Sequence, residues 1–230
     1  MGTPSMRTAL QYAGWFIGLP LELLIVAALA KGSYRRFPFI LLYSLALFFT
    51  TVLEISVFQA YSTGRRLAHS RAFYYWLDEG IRQALVFAVV ISLVYQASST
   101  VRARLAVRLL LVCLALVFAS MSFLVHYDAD LVVGEWMTLW TRDLNFSSAF
   151  LDLGLWAMLL ASRKKEPCLL LLSGALGIQF TGEAIGQSLR HLFPWELSPG
   201  DVLAMLANLA CLWIWWQALR PQRHEQVMSA

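Results

Sequence analysis

Residues 38–61 read PFILLYSLALFFTTVLEISVFQAY, 24 residues with a single charged side chain, Glu54. At about 1.5 Å of rise per residue a helix of that length reaches about 36 Å, enough to cross the roughly 30 Å hydrocarbon core of a bilayer. A run so apolar needs hydrocarbon as its solvent. Working outward, six more runs have the same character. The predicted spans are Leu10–Ala30, Pro38–Tyr61, Phe73–Tyr95, Leu105–Val125, Leu144–Ser162, Cys168–Phe193 and Val202–Leu219. The links between them are short and polar, with no room for an inserted soluble domain.

Composition agrees. Apolar residues make up 59% of the 230 and charged ones 14%, against roughly 25% charged in a soluble domain. The mean hydropathy of +0.63 leaves too few charges to coat a water-facing surface. The expected fold is therefore all-α, an integral membrane bundle of seven transmembrane helices forming one domain over residues 1–230.

Local signals mark the helix ends. Pro38 and Pro167 open the second and sixth spans, where a missing N–H costs nothing. Ser198-Pro199-Gly200-Asp201 supplies a turn, with Asp201 as the expected cap of the last span. Pro20 should kink or loosen the first.

Positive charge sets orientation. With the N-terminus outside and the C-terminus cytoplasmic, the inner segments hold ten basic residues: Lys31, Arg35, Arg36, Arg102, Arg104, Arg163, Lys164, Lys165, Arg220 and Arg223. The outer segments hold six, Arg7, Arg65, Arg66, Arg71, Arg142 and Arg190. The excess favours that orientation. Ala28-Leu29-Ala30 resembles a signal-peptide cleavage site, but Pro20 and Glu22 interrupt the apolar region before it, and cleavage would place the basic side outside. Trp15, Trp76, Trp136, Trp140 and Trp195 fall near the outer boundary, and Trp213, Trp215 and Trp216 near the inner one, as interfacial belts do. The compact loops favour a bacterial cytoplasmic membrane.

Several functions are excluded or disfavoured. The net charge of +4 is dispersed over short loops, with no pattern that organises it against nucleic acid; in a membrane protein it addresses anionic lipid or a protein partner at the inner face. Retinal chemistry of the usual kind needs a lysine in the last helix, and the only lysines are Lys31, Lys164 and Lys165. No Walker loop, GxGxxG, HExxH or GxSxG run occurs. Asp78-Glu79-Gly80-Ile81-Arg82 is one residue short of the EExxxR motif of intramembrane prenyl-type proteases. His69, His126, His191 and His224 share no helix face at ligand spacing, so no haem or metal is expected. Cys113, Cys168 and Cys211 lie apart in apolar runs, as small buried hydrophobes. Asn145-Phe146-Ser147 fits a glycosylation sequon but lies against the membrane, and is read as chance. No cofactor is expected, and the missing nucleophile and metal motifs count against catalysis.

Ionisable groups inside the spans rise above this background. A charge near a helix centre costs about 2.5–3.5 kcal/mol on insertion scales, so each needs a reason. Counted from the outer ends of the predicted spans, Glu54 lies roughly 10 Å deep, Asp152 roughly 12 Å and Glu183 roughly 15 Å, with Asp78, Glu79 and Arg82 in the same layer. Glu22 is the exception, nearer the inner face. In the sixth span Gln179, Glu183 and Gln187 recur at i, i+4, i+8 and share one face. Gly182 and Gly186 form a GxxxG that lets a neighbouring helix approach closely. Asp78 and Arg82 stand at i, i+4, a spacing suited to an ion pair.

These residues point to a polar pocket in the outer half of the bundle, lined by Glu54, Asp78, Glu79, Arg82, Asp152, Gln179, Glu183 and Gln187. The competing explanation is interhelical glue, worth about 0.6 kcal/mol per polar contact. The expected function is a small-molecule-sensing or ligand-binding module. A small-solute or proton-coupled transporter is the first alternative, disfavoured because no three-helix repeat is evident. An accessory subunit of a membrane complex is the second. The layout resembles the seven-helix input domains of bacterial membrane receptors in architecture alone.

Overall fold

The computed structural model describes residues 6–62, 68–97, 104–127, 133–161, 166–192 and 199–220. Seven α-helices occupy them: α1 (Met6–Ala30), α2 (Pro38–Ser62), α3 (Ala68–Ala97), α4 (Arg104–His126), α5 (Val133–Ala161), α6 (Pro167–Leu192) and α7 (Pro199–Leu219), and the described residues contain no strand. Five carry described stretches long and apolar enough to cross a membrane: Leu10–Ala30, Pro38–Ser56, Gly80–Ala97, Pro167–Gly186 and Pro199–Leu219. In α4 the described apolar run is Cys113–His126. The chain is a multi-pass helical membrane protein.

The helix ends follow the sequence with instructive exceptions. Pro38 and Pro167 open α2 and α6 as expected. α1 stays helical through Pro20. It ends where Gly32 takes a φ of +150°, a conformation that side chains resist, before a 3₁₀ turn at Ser33–Arg35. α7 begins at Pro199, so Asp201 lies in the first turn instead of capping it, and its carboxylate still faces the positive end of the helix dipole. α5 begins at Val133, eleven residues before the predicted span. The stretch 133–143 is amphipathic, and hydropathy marks where a helix enters hydrocarbon, not where it starts.

Contacts between remote residues define the ends of the bundle. Arg36 at the start of α2 forms an ion pair with Glu166 beside α6. Gln96 Nε2, from the end of α3, donates to the Arg36 carbonyl at 2.7 Å, and Cys168 Sγ donates to the Ala218 carbonyl at 3.6 Å. The start of α2, end of α3, start of α6 and end of α7 therefore share one end, called here the basic end for its arginines and lysines. At the opposite end, His126 of α4 approaches Asp143 of α5 at 3.7 Å, and Ser122 donates to Asp143 Oδ2 at 2.9 Å.

α6 lies along α7, α3 along α5, and α1 joins α7 to α2; with α2 against α3 and α5 against α6, six helices close a ring. α4 stands outside it, mainly against α5. A small apolar contact of Phe87, Ala115 and Leu144 joins the Asp143 contacts in holding α4 to α3 and α5. The ring encloses one core, in which Ile25, Tyr43, Leu93, Leu155, Leu172 and Trp215 are fully or almost fully buried. Outside, Phe16, Phe150 and Val125 are 82%, 73% and 71% exposed, while Glu22, Gln83, Asp152 and Gln179 are buried. Bare apolar flanks around buried polar groups suit hydrocarbon as solvent.

Trp215 departs from the expected inner belt. It is fully buried, donates its indole N–H to the Leu172 carbonyl at 3.1 Å and meets the Tyr43 ring edge-on at 5.7 Å. Trp15 is also buried, with its indole N–H on Glu54. Trp213 is half exposed, and Trp216 carries Arg220 over its ring, as interfacial residues do.

Candidate functional site

The polar face of α6 organises the interior. Gln179 and Glu183 are one turn apart, and Gln179 Nε2 donates to Glu183 Oε1 at 3.3 Å. The same amide reaches the Tyr43 hydroxyl of α2 at 3.5 Å. From α5, Asn145 Nδ2 donates to the other carboxylate oxygen, Glu183 Oε2, at 3.4 Å. Glu183 thus accepts from two helices and is itself half-buried. Arg82 of α3, also half-buried, and Glu183 both act electrostatically on the Tyr43 hydroxyl. The buried Cys211 of α7 lies within electrostatic range of both Glu183 and Asp152. Residues from α2, α3, α5, α6 and α7 therefore meet around Tyr43 and Glu183.

This group is not fully satisfied. Asn145 Oδ1, beside Glu183, is buried without a hydrogen-bond partner, as are Ser44 Oγ on α2 and Gln83 Nε2 on α3. An unpaired buried polar atom costs about 1–3 kcal/mol. Turning the Asn145 amide over would set its oxygen against the Glu183 carboxylate, acceptor to acceptor, so the orientation that pairs Nδ2 is the one the site selects.

Asp152 takes a different side. It is 3% exposed and accepts from Ser173 Oγ at 2.7 Å through Oδ1, and Oδ2 lies 3.5 Å from where a Cβ on Gly177 would stand. It is nine positions from the Ala161 end of α5, about 13 Å along the helix. Polar groups are therefore not confined to the half away from the basic end. Counted from Leu144, the predicted start of the span, Asp152 stands eight residues in, about 12 Å, so it sits near the middle of the apolar part of α5.

Glu54 is exposed and held from α1, with Gln11 Nε2 donating at 3.0 Å and Trp15 Nε1 at 3.2 Å. Glu22 is 4% exposed, accepts from Thr51 at 3.3 Å, and keeps Oε2 buried without a partner. The α1–α2 seam thus has its own polar contacts. The side chains of Asp78, Glu79 and Gln187 lie outside the described residues. Of the eight expected lining residues, the structure brings Arg82, Gln179 and Glu183 to one neighbourhood, with Asp152 across α6 from them and Glu54 bonded to α1.

Sequence reasoning missed Tyr43, Asn145 and Ser173. Tyr43 was the one ring hydroxyl in the first half of its span, a signal available but unused. Asn145 was seen only as a chance sequon. Of the three cysteines expected to be small buried hydrophobes, Cys211 is buried and Cys168 half-buried, but Cys113 is exposed, on the α4 helix that stands outside the ring. The Gly182–Gly186 pair does bring a helix close, and that helix is α7. A Cβ on Gly182 would stand 2.1 Å from the Ala207 Cβ, and one on Gly186 would stand 2.8 Å from the Gly200 carbonyl oxygen.

Among the described residues no three His, Cys, Asp or Glu side chains gather as a metal site would need. The group at Glu183 offers carboxylate and amide oxygens as acceptors, with a guanidinium nearby. Chemically it is suited to holding a small polar molecule or a proton. No known protein family, curated protein or solved structure matches this chain.

Proposed function

We propose that this protein is a membrane-embedded binding module for a small polar molecule that carries hydrogen-bond donors, and that it acts as a sensor. The observation carrying this reading is the unpaired, buried Asn145 Oδ1 beside a half-buried Glu183 carboxylate. A donor-bearing ligand, such as an amine or amino alcohol, would pair both acceptors. Gln179 and Tyr43 would orient the carboxylate, and Arg82 would balance its charge. Signal output passes to a partner protein through the basic loops, in a bacterial cytoplasmic membrane, where compact connections of this kind are common.

The helices that carry the group, α2, α3, α5, α6 and α7, run unbroken through it. Transporters more often break helices at the binding level, which favours binding over transport. The test is thermal unfolding of the purified protein against a panel of primary amines and amino alcohols. A true ligand at a hundred times its Kd adds about 2.7 kcal/mol of stability, and Glu183→Gln removes that gain. Proton-gradient-driven uptake into proteoliposomes would replace this reading with a transporter. Stable co-purification with a membrane complex, and no ligand response, would replace it with a subunit role.

A further inference from the structure

α6 is recessed between α5 and α7 on its outward side, leaving a groove of about 790 Å³. Its floor is made of small side chains, Gly174, Gly177 and Thr181, and its walls include Leu153 and Trp156 of α5 and Leu206 of α7. Leu153, Trp156, Ile178 and Leu206 are 63%, 42%, 44% and 54% exposed, so the groove opens sideways, onto the surface that faces hydrocarbon. Small residues alone would suit lipid or another helix equally well.

Asp152 decides between them. It lines the groove together with Ser173. Ser173 occupies Oδ1, whereas among the described residues no hydrogen bond reaches Oδ2, which lies over Gly177 on the groove floor. A 97% buried carboxyl group therefore aims an unused acceptor into an apolar trough. It lies about 9–13 Å along α6 and α5 from their basic ends, well inside the hydrocarbon. Charged lipid headgroups stay at the interface, so the matching donor belongs to a neutral molecule that enters the bilayer core. A second copy of the chain fits less well: a symmetric membrane dimer through this face would bring two Asp152 carboxyls to the same depth, each needing a donor and neither supplying one.

We propose that this groove is a lateral binding site for a neutral, hydroxyl-bearing lipid of slender, isoprenoid-alcohol type, whose O–H donates to Asp152 Oδ2 while its chain lies along Gly174, Gly177 and Thr181. The site stands apart from the Glu183 group, on the opposite face of α6, and does not depend on the function proposed for that group.

The experiment uses the full-length protein in phosphatidylcholine nanodiscs and a diazirine-tagged farnesol, with cross-linked peptides mapped by mass spectrometry. Saturable labelling of the Leu153–Trp156 and Leu203–Ala210 peptides is expected, with free farnesol competing at least about ten-fold better than farnesol methyl ether, which lacks the donor. Gly174→Leu fills the trough and should abolish labelling. A Cβ there meets only Trp156 Nε1 at 3.6 Å, an ordinary contact, and a circular dichroism spectrum matching the parent's checks that the variant is folded. Asp152→Ala should erase the preference for alcohol over ether while labelling persists. Glu183→Gln should change none of this. Equal competition by alcohol and ether, or labelling of α4 as strong as that of the groove, would overturn the proposal and reduce the groove to ordinary lipid-facing surface. A dimer cross-linked through Leu206→Cys and insensitive to farnesol would overturn it in favour of a second copy.

Discussion

Replacing Gly182 by alanine tests the tightest approach to any described glycine. The added Cβ would stand 2.1 Å from the Cβ of Ala207, whereas carbon atoms in contact sit about 3.5–4.0 Å apart. Neither atom is the tip of a flexible side chain, so relief requires α6 and α7 to part locally by about 1.5 Å. Overpacking of this kind typically costs 1–3 kcal/mol, and because backbone must move we place Gly182→Ala at about 3 kcal/mol. The compensating change is Ala207→Gly. It removes the clashing carbon, after which the new Cβ meets only the residue 207 Cα at 3.6 Å and the Leu203 carbonyl at 3.8 Å, both ordinary contacts. Alone, Ala207→Gly should cost about 1 kcal/mol in helix propensity. In the double variant glycine and alanine merely change places, so propensity cancels and stability should return to within about 1 kcal/mol of the parent. The cycle predicts about 4 kcal/mol of coupling, well above the scatter expected of independent sites. Reversible unfolding in mixed micelles, by titration with dodecyl sulfate and circular dichroism, gives all four values. Gly154→Ala serves as control, since nothing lies within 4 Å of its Cβ position; it should be neutral or stabilising. A Gly182→Ala protein as stable as the parent, or single effects that simply add, would refute close α6–α7 packing through glycine.

Glu183→Gln keeps most of the hydrogen-bonding capacity toward Gln179 and Asn145 and should change stability by less than about 1 kcal/mol in the same titration; with ligand response also intact, the binding reading would lose its main support. Breaking the Arg36–Glu166 pair with Glu166→Ala should cost less than about 1 kcal/mol, because both partners are about half exposed at 55% and 44%. A larger loss would mean that the pair anchors the basic end instead of merely decorating it. Orientation is checked with an impermeant maleimide on intact cells: a cysteine at Ser198 should react and one at Lys164 should not, and the opposite pattern would invert the topology.

Helix type was legible in the sequence because it follows from one-dimensional quantities. Rise per residue and apolar content place Pro38, Glu183 and the ends of α6 without knowledge of any neighbour. Periodicity within one helix was equally legible: Gln179 and Glu183 share a face and bond to each other. Azimuth between helices was not. Nothing in the order of residues says that Tyr43 of α2 faces Gln179 across 136 positions, or that Glu54 turns to Trp15 and not to Glu183. Asp152 shows the consequence. Its depth suggested the company of Glu183, yet its carboxyl bonds to Ser173, on the other side of the same helix.

That division has a physical origin in how α6 is held. Its Gly182 and Gly186 edge is locked against α7 at backbone distance, which fixes its rotation about its own axis. With that edge fixed, Gln179 and Glu183 must face the ring interior, and Gly174, Gly177 and Thr181 must face outward. Any side chain large enough to fill the outward face would close the groove, and any residue but glycine at 182 would turn or displace the inward one. Asp152 and Glu183 each act on Cys211, yet they stand at different faces of α6, one beside the groove and the other in the ring interior. The glycines of α6 thus do more than permit close packing: they decide which of its two polar surfaces each carboxylate can serve.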